Sequence, residues 1–237
     1  MSIADEDFWA LYKSVERDFE SAVHTFYTNV DIGDIASKHP AVYEELNKNA
    51  LFWQIVLGSL QTTFFVSLAR IFDDDIDAKS LNALIKATLE NPELFTKKAN
   101  LRRKLKDCTE RPEWLRSYIK QLWQPSLDDL RDIPRYMRPH NKKFRDVYLA
   151  IRTNVFAHTL VSKKEEIDHL FSQTVVGDIE DILEAILNAL GAIRELYLNG
   201  NKIELGTHKE PHRWSSQSRV SRVLGVEGPK LVKAEVD

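Results

Sequence analysis

The chain has 237 residues, 43% of them hydrophobic and 29% charged, with a formal net charge of −3. That balance excludes a disordered chain and suffices for one large folded domain or two small ones. The single cysteine, Cys108, excludes an intrachain disulfide and a cysteine-based metal site, and it favours a reducing compartment.

The N-terminal Met1-Ser2-Ile3-Ala4-Asp5-Glu6-Asp7 is acidic and lacks the basic flank and apolar run of a secretion signal, so a cytoplasmic location is expected. A first helix is expected from about Asp5 to Val30. Phe8, Leu11, Val15, Phe19, Ala22, Val23, Phe26 and Val30 fall there at three- and four-residue steps. Asp31-Ile32-Gly33-Asp34 should break it. Pro40 suits the opening turn of a second helix, which should run to Phe72 with room for a bend.

From Leu51 to Phe72 that helix is apolar over about the length of a bilayer crossing. Gln54, Ser59, Gln61, Thr62, Thr63, Ser67 and Arg70 recur along it, and lipid would penalise them. The expectation is a central helix surrounded by other helices, with no membrane partner.

Asp73-Asp74-Asp75 ends the apolar run. Ser80 is a candidate N-cap for a short helix over Leu81–Leu89. Pro92 should open another reaching about Cys108, and Pro112 a third containing Trp114, Leu115, Tyr118, Ile119, Leu122 and Trp123. Pro125, Pro134 and Pro139 should cut the next stretch into short pieces. A helix should resume near Asn141 and carry Phe144, Val147, Tyr148, Ile151, Val155 and Phe156 toward Leu160. Lys163 to Phe171 reads as a short helix. The final long helix follows Gly177, with Ile179, Ile182, Leu183, Ile186, Leu190, Ile193, Leu196 and Tyr197 in register and Asn199-Gly200 as its stop. The fold class is therefore all-α: a helical domain over residues 1–200 and a non-helical C-terminal extension over 201–237.

Charge is unevenly spread. Of 33 basic and 36 acidic residues, the stretch Lys97–Arg152 holds 16 Lys or Arg against 7 Asp or Glu. A basic middle in an acidic protein fits a phosphate-binding surface. Lys97, Lys98, Arg102 and Arg103 head the densest run, and Lys142, Lys143 and Arg145 form a second, so these seven are the candidate nucleic-acid-binding residues. A plain solvated helix face is the alternative.

The candidate site adjoins this stretch: Arg152-Thr153-Asn154-Val155-Phe156-Ala157-His158. Asn154 and His158, four apart, share a helix face. Arg152 lies about 120° round the axis at ~100° per residue and must use its long side chain to reach the same point. Together the three can bind and orient a phosphate and move a proton. Alternatively, His158 caps a helix C-terminus and Arg152 is a surface ion-pair partner.

Asp73, Asp75 and Asp77 occupy the first, third and fifth places of a calcium loop, but Ala78 replaces the turn glycine and Leu84 the bidentate glutamate. A solvated helix end is expected instead, with Arg70 pairing one of the carboxylates. The other histidines show no metal-binding spacing, and no metal or cofactor is expected.

An apolar penultimate helix ending in Arg, a polar residue and His resembles the HEPN superfamily of all-α domains, many of them metal-independent ribonucleases with an Arg-x(4–6)-His motif. Arg152-x5-His158 fits that range. Leu68-Ala69-Arg70-Ile71-Phe72-Asp73, Ser80-Leu81 and Val155-Phe156-Ala157-His158 extend the resemblance to its abortive-infection, AbiU-like branch over roughly residues 5 to 200. In the family the polar residue usually follows the Arg directly, whereas here Thr153 intervenes before Asn154.

The resemblance implies a HEPN-like bundle of long antiparallel helices and a metal-independent RNA endonuclease of a phage-defence or toxin system. Arg152, Asn154 and His158 would be its catalytic residues. Expected partners are RNA, a second copy of the chain in a homodimer, and an antitoxin or defence-system protein. Two other readings stay open: a non-catalytic scaffold binding RNA or nucleotide, and a protein-binding helical module such as an antitoxin or regulatory subunit.

Overall fold

The computed structural model describes residues 3–106, 108–110, 112–149 and 175–207. Within these the protein is all-α, with eight α-helices, one 3-10 turn and one π-helical turn. They form two compact units, residues 3–19 with 68–207 and residues 20–67.

Helix α1 (Asp5–Lys38) places its first half in the larger unit. Phe8, Tyr12, Val15 and Phe19 are buried there at three- and four-residue steps. Leu68, Ile71 and Phe72 contribute the end of α3 (Ala50–Ile71). Helix α4 (Leu81–Glu90) starts where expected, because the Ser80 hydroxyl accepts the Ala83 N–H. Pro92 opens only a 3-10 turn, Pro92–Phe95, and a new cap at Thr96 starts α5 (Lys97–Lys104). Helix α6 (Leu115–Gln121) follows.

Helix α7 (Leu127–Lys143) corrects the reading of Pro134 and Pro139 as breaks, for both lie inside one continuous helix. Each proline deletes one intrahelical hydrogen bond. The compensation is packing: Leu130, Ile133 and Met137 are fully buried, and a reciprocal Ser126–Asp129 capping box fixes the start. Helix α7 packs against α4 and against α8 (Val176–Asn199). It runs directly into the π-helical turn Phe144–Tyr148.

Helix α8 is the spine of this unit. Ile182, Ile186, Ala189, Ile193 and Leu196 are buried at helical spacing, and Gly200 ends the helix in the left-handed conformation, φ 61°. The Gly200 carbonyl accepts the Trp123 N–H at 2.8 Å.

The smaller unit holds the second half of α1, α2 (Pro40–Lys48) and most of α3. Asp31-Ile32-Gly33-Asp34 does not break α1. Ile32 and Ile35 are buried with Val42, under Leu46, Trp53, Leu57 and Leu60, and this burial outweighs the ~1 kcal/mol helix cost of Gly33. Pro40 does open a helix, but the chain turns at Asn49 before α3 begins. The Asn29 amide donates to the Leu57 carbonyl, and Phe26 packs on Phe64 with ring centroids 5.2 Å apart.

The expectation that α3 is surrounded by other helices is corrected. Only one stripe of its first half packs inward, while Leu51, Phe52 and Ile55 are exposed. By length and composition Ala50–Ile71 is the one helix among the described residues that could cross a membrane.

Candidate nucleic-acid interface

The candidate catalytic residues Arg152, Asn154 and His158 lie outside the described residues, as does the short helix expected over Lys163–Phe171. What the structure describes is the corner from which that segment departs.

Phe72, just past α3, stacks on Phe144 at 4.5 Å. Two residues further the Asp74 carboxylate receives Arg145 at 2.8 Å and accepts the Asn82 amide at 2.9 Å. The Asn82 oxygen in turn accepts the Asn141 amide at 3.2 Å. The π turn is thereby tied to the loop after α3 and to α4 by one aromatic stack and a chain of polar contacts. The first acidic residues also organise their own loop: Asp73 accepts the Asp75 N–H and Asp75 accepts the Asp77 N–H. No metal-binding cluster occurs among the described residues. Arg70 does not join these carboxylates as expected; it faces Asp18 at 3.7 Å.

Beside the corner is a shallow cavity of about 400 Å³ lined by Pro134, Arg138, Asn141, Lys142, Arg145 and Asp146. Lys142 pairs with Asp146, and Arg145 with Asp74. Arg138 is exposed and has no ion pair among the described residues. Three cations thus stand one helical turn apart along this groove, two held by carboxylates and one open. Arg138 was missed in the sequence because Pro139 was read as a helix end. Without that break, Arg138 stands four residues before Lys142 and seven before Arg145. Lys143, next to Lys142 in the chain, pairs with Asp178 of α8 at 2.5 Å.

The first basic run divides. Lys97 and Lys98 are exposed without ion pairs among the described residues. Arg102 and Arg103 both pair with Asp5. Arg103 is only 15% exposed; it donates to the Leu94 and Tyr197 carbonyls and lies 3.9 Å above the Tyr197 ring. It is a clamp joining α1, α5 and α8. A second cavity of about 480 Å³ here carries Asp5 and Glu6 as well as Arg102, Arg103 and Lys106, which offset its charge.

Titration behaviour follows packing. Burial, then the Asp5 charge, pushes the Tyr197 hydroxyl up to about 12, with Arg103 opposing. Burial, reinforced by Asp178, raises Tyr148 to about 12. His140, on α7, has its pKa lowered mainly by burial and further by Lys143, against the opposing charges of Asp181 and Glu184.

Comparison with curated proteins and with solved structures gives no match. A family model described as AbiU2, of HEPN type, matches residues 4–220, which includes α1 through α8 and the segment carrying Arg152 and His158. With its all-α fold and its match over nearly the whole chain, the protein belongs to the HEPN AbiU2 family of abortive-infection proteins.

Proposed function

We propose that this protein is a metal-independent RNA endonuclease, acting as a phage-defence or toxin component, with Arg152, Asn154 and His158 at its active site. The observation that carries the reading is the cationic groove of Arg138, Lys142 and Arg145. It lies on the helix that leads, a few residues later, into the Arg-x5-His segment of a HEPN family member.

In the proposed reaction a ribose 2′-oxygen attacks the adjacent phosphorus. The O2′–P bond forms, the P–O5′ bond breaks, and the products are a 2′,3′-cyclic phosphate and a 5′-hydroxyl. His158 accepts the 2′-hydroxyl proton or donates one to the leaving oxygen. Arg152 neutralises the charge that builds on the non-bridging oxygens, and Asn154 orients the phosphate. A homodimer with its twofold axis near His158 would supply both an acid and a base. RNA, a second copy and a defence-system partner are the proposed partners.

The experiment is RNA cleavage by the purified protein in EDTA, with end-group analysis. Cyclic phosphate ends and a loss of roughly 10²–10⁴-fold in folded His158→Ala are expected. Undiminished cleavage by that variant overturns the assignment. RNA binding without cleavage moves the protein to the second reading, a non-catalytic RNA-binding scaffold, which the Thr153 interposed between Arg152 and Asn154 favours.

A further inference from the structure

Asp74, Asn82, Asn141 and Arg145 form a closed ring of side chains. The Asp74 carboxylate holds Arg145 at 2.8 Å and accepts the Asn82 amide at 2.9 Å. The Asn82 oxygen accepts the Asn141 amide at 3.2 Å. The turn of backbone from Asn141 to Arg145 completes the circuit.

The ring has a fixed polarity. A carboxylate paired with a guanidinium only accepts, so Asn82 turns its NH2 toward Asp74 and its oxygen toward Asn141. Asn141 must then give its NH2 to Asn82, and its Oδ1 is left for some other donor. That oxygen is enclosed and has no donor among the described residues. An enclosed acceptor in this state is unfavourable and calls for a partner. Asn141 also lines the groove with Arg138, Lys142 and Arg145.

The groove indicates where that donor comes from. Three cations suit a phosphate, and Arg138 is exposed with no ion pair among the described residues. The donor therefore belongs to a molecule that also carries phosphate. In a nucleic acid two kinds of group qualify, the N–H groups of the bases and the ribose 2′-hydroxyl. Only two carbons and one oxygen separate the 2′-oxygen from its own 3′-phosphorus, so both fit beside one turn of protein helix. The base N–H groups lie beyond the sugar, away from the phosphate.

We infer that Asn141 reads the sugar of a bound strand: its Oδ1 accepts the 2′-hydroxyl of the nucleotide whose phosphate Arg138 and Arg145 hold, and so selects RNA over DNA. The phosphate draws Arg145 off Asp74, which opens the ring and bares the Asn141 oxygen beside it. Asn82, behind Asn141, keeps the amide from turning round. The inference rests on the proposed function in giving the groove to RNA, but it requires no cleavage. Asn141 selects the strand and takes no part in the chemistry assigned to Arg152, Asn154 and His158.

The test is binding of RNA, DNA and 2′-fluoro RNA of one sequence to the full chain carrying His158→Ala, so that no strand is cut. The 2′-fluoro strand keeps the sugar pucker of RNA and lacks the donor. RNA should bind about tenfold tighter than either of the others, the value of one hydrogen bond. Adding Asn141→Ala should bring RNA down to the affinity of the 2′-fluoro strand, with circular dichroism unchanged. Asn82→Ala changes no side chain lining the groove, yet it should lower the ratio part-way, because the Asn141 amide can then present either end. Equal affinity for RNA and its 2′-fluoro form overturns the inference, as does a chain that binds no strand. A ratio unchanged in Asn141→Ala overturns it too, including the case where all three strands weaken alike, and so does a ratio unchanged in Asn82→Ala. A preference that follows base sequence and not the sugar gives the acceptor to a base and overturns it as well. If the chain with His158 intact leaves RNA whole in EDTA while the sugar ratio holds, the inference stands and the ribonuclease reading falls. Cleavage by a chain that binds RNA and 2′-fluoro RNA alike does the reverse.

Discussion

Asp74 holds the Arg145 guanidinium at 2.8 Å across 71 residues of chain. The contact is half-exposed on both sides, so its value for stability is modest, about 0–1 kcal/mol. Its effect on charge is larger: it neutralises one cation of the groove proposed to take RNA. Asp74→Asn should therefore tighten RNA binding and steepen its salt dependence by about one counterion, and Arg145→Ala should do the reverse. Filter binding at several salt concentrations measures both. Equal affinities for the two variants would remove Arg145 from the groove.

Arg103 and Lys98 separate structure from binding within one basic run. Arg103→Ala takes one of two guanidiniums from Asp5, removes the donor to the Leu94 and Tyr197 carbonyls and empties the face of Tyr197, so a loss of roughly 1–3 kcal/mol is expected in urea denaturation. Lys98→Ala should leave stability within ~0.5 kcal/mol and weaken RNA binding. Charge reversal across the whole run mixes the two effects, because Arg102 and Arg103 also hold the N-terminus of α1.

His140 gives the fold an acid sensitivity. Its folded pKa is lowered by burial while its unfolded value is about 6.5. Above ~6.5 the ring is neutral in both states and its contribution is fully present. As pH falls further the unfolded chain takes up the proton first, so stability declines through the folded pKa. Denaturation midpoints from about pH 7.5 to about 5 should show this fall, and His140→Gln should flatten it. An unchanged slope in the variant would assign the effect elsewhere.

Two glycines should respond in opposite directions to alanine. Gly33 lies inside α1, and its added Cβ would meet nothing within 4 Å, so Gly33→Ala should stabilise by about 0.5–1 kcal/mol. Gly200 has φ 61°, and a Cβ there would fall 2.4 Å from Leu122 Cδ2. Gly200→Ala should destabilise by at least ~1 kcal/mol, from left-handed backbone strain and from the clash. Thermal melts of the two variants check both signs.

Features governed by local chemistry were legible in the sequence. Ser80, Pro40 and Gly200 act at helix ends through one hydrogen bond, one fixed φ or one missing Cβ, and each does so where its neighbours indicate. The buried stripe of α8 is equally plain, because a 3.6-residue period needs no knowledge of what it packs against. The same logic failed where local preference and packing compete. Gly33, Pro134 and Pro139 read as breaks, and all three sit in continuous helices because Ile32, Ile35, Ile133 and Met137 are buried beside them.

By itself, then, the sequence determined the all-α class, most helix starts, the family and the three residues proposed for catalysis, since these depend on periodicity, caps and a short motif. Only the tertiary structure decided which carboxylate each cation meets. Arg102 and Arg103 meet Asp5, Lys143 meets Asp178 and Arg145 meets Asp74, all far away in sequence, while Arg138 emerges beside Lys142 because α7 continues through Pro139. It also decided that half of α3 stays uncovered. Hydrophobic content drives burial only when another surface is present to receive it, and which surface that is depends on the folded chain as a whole.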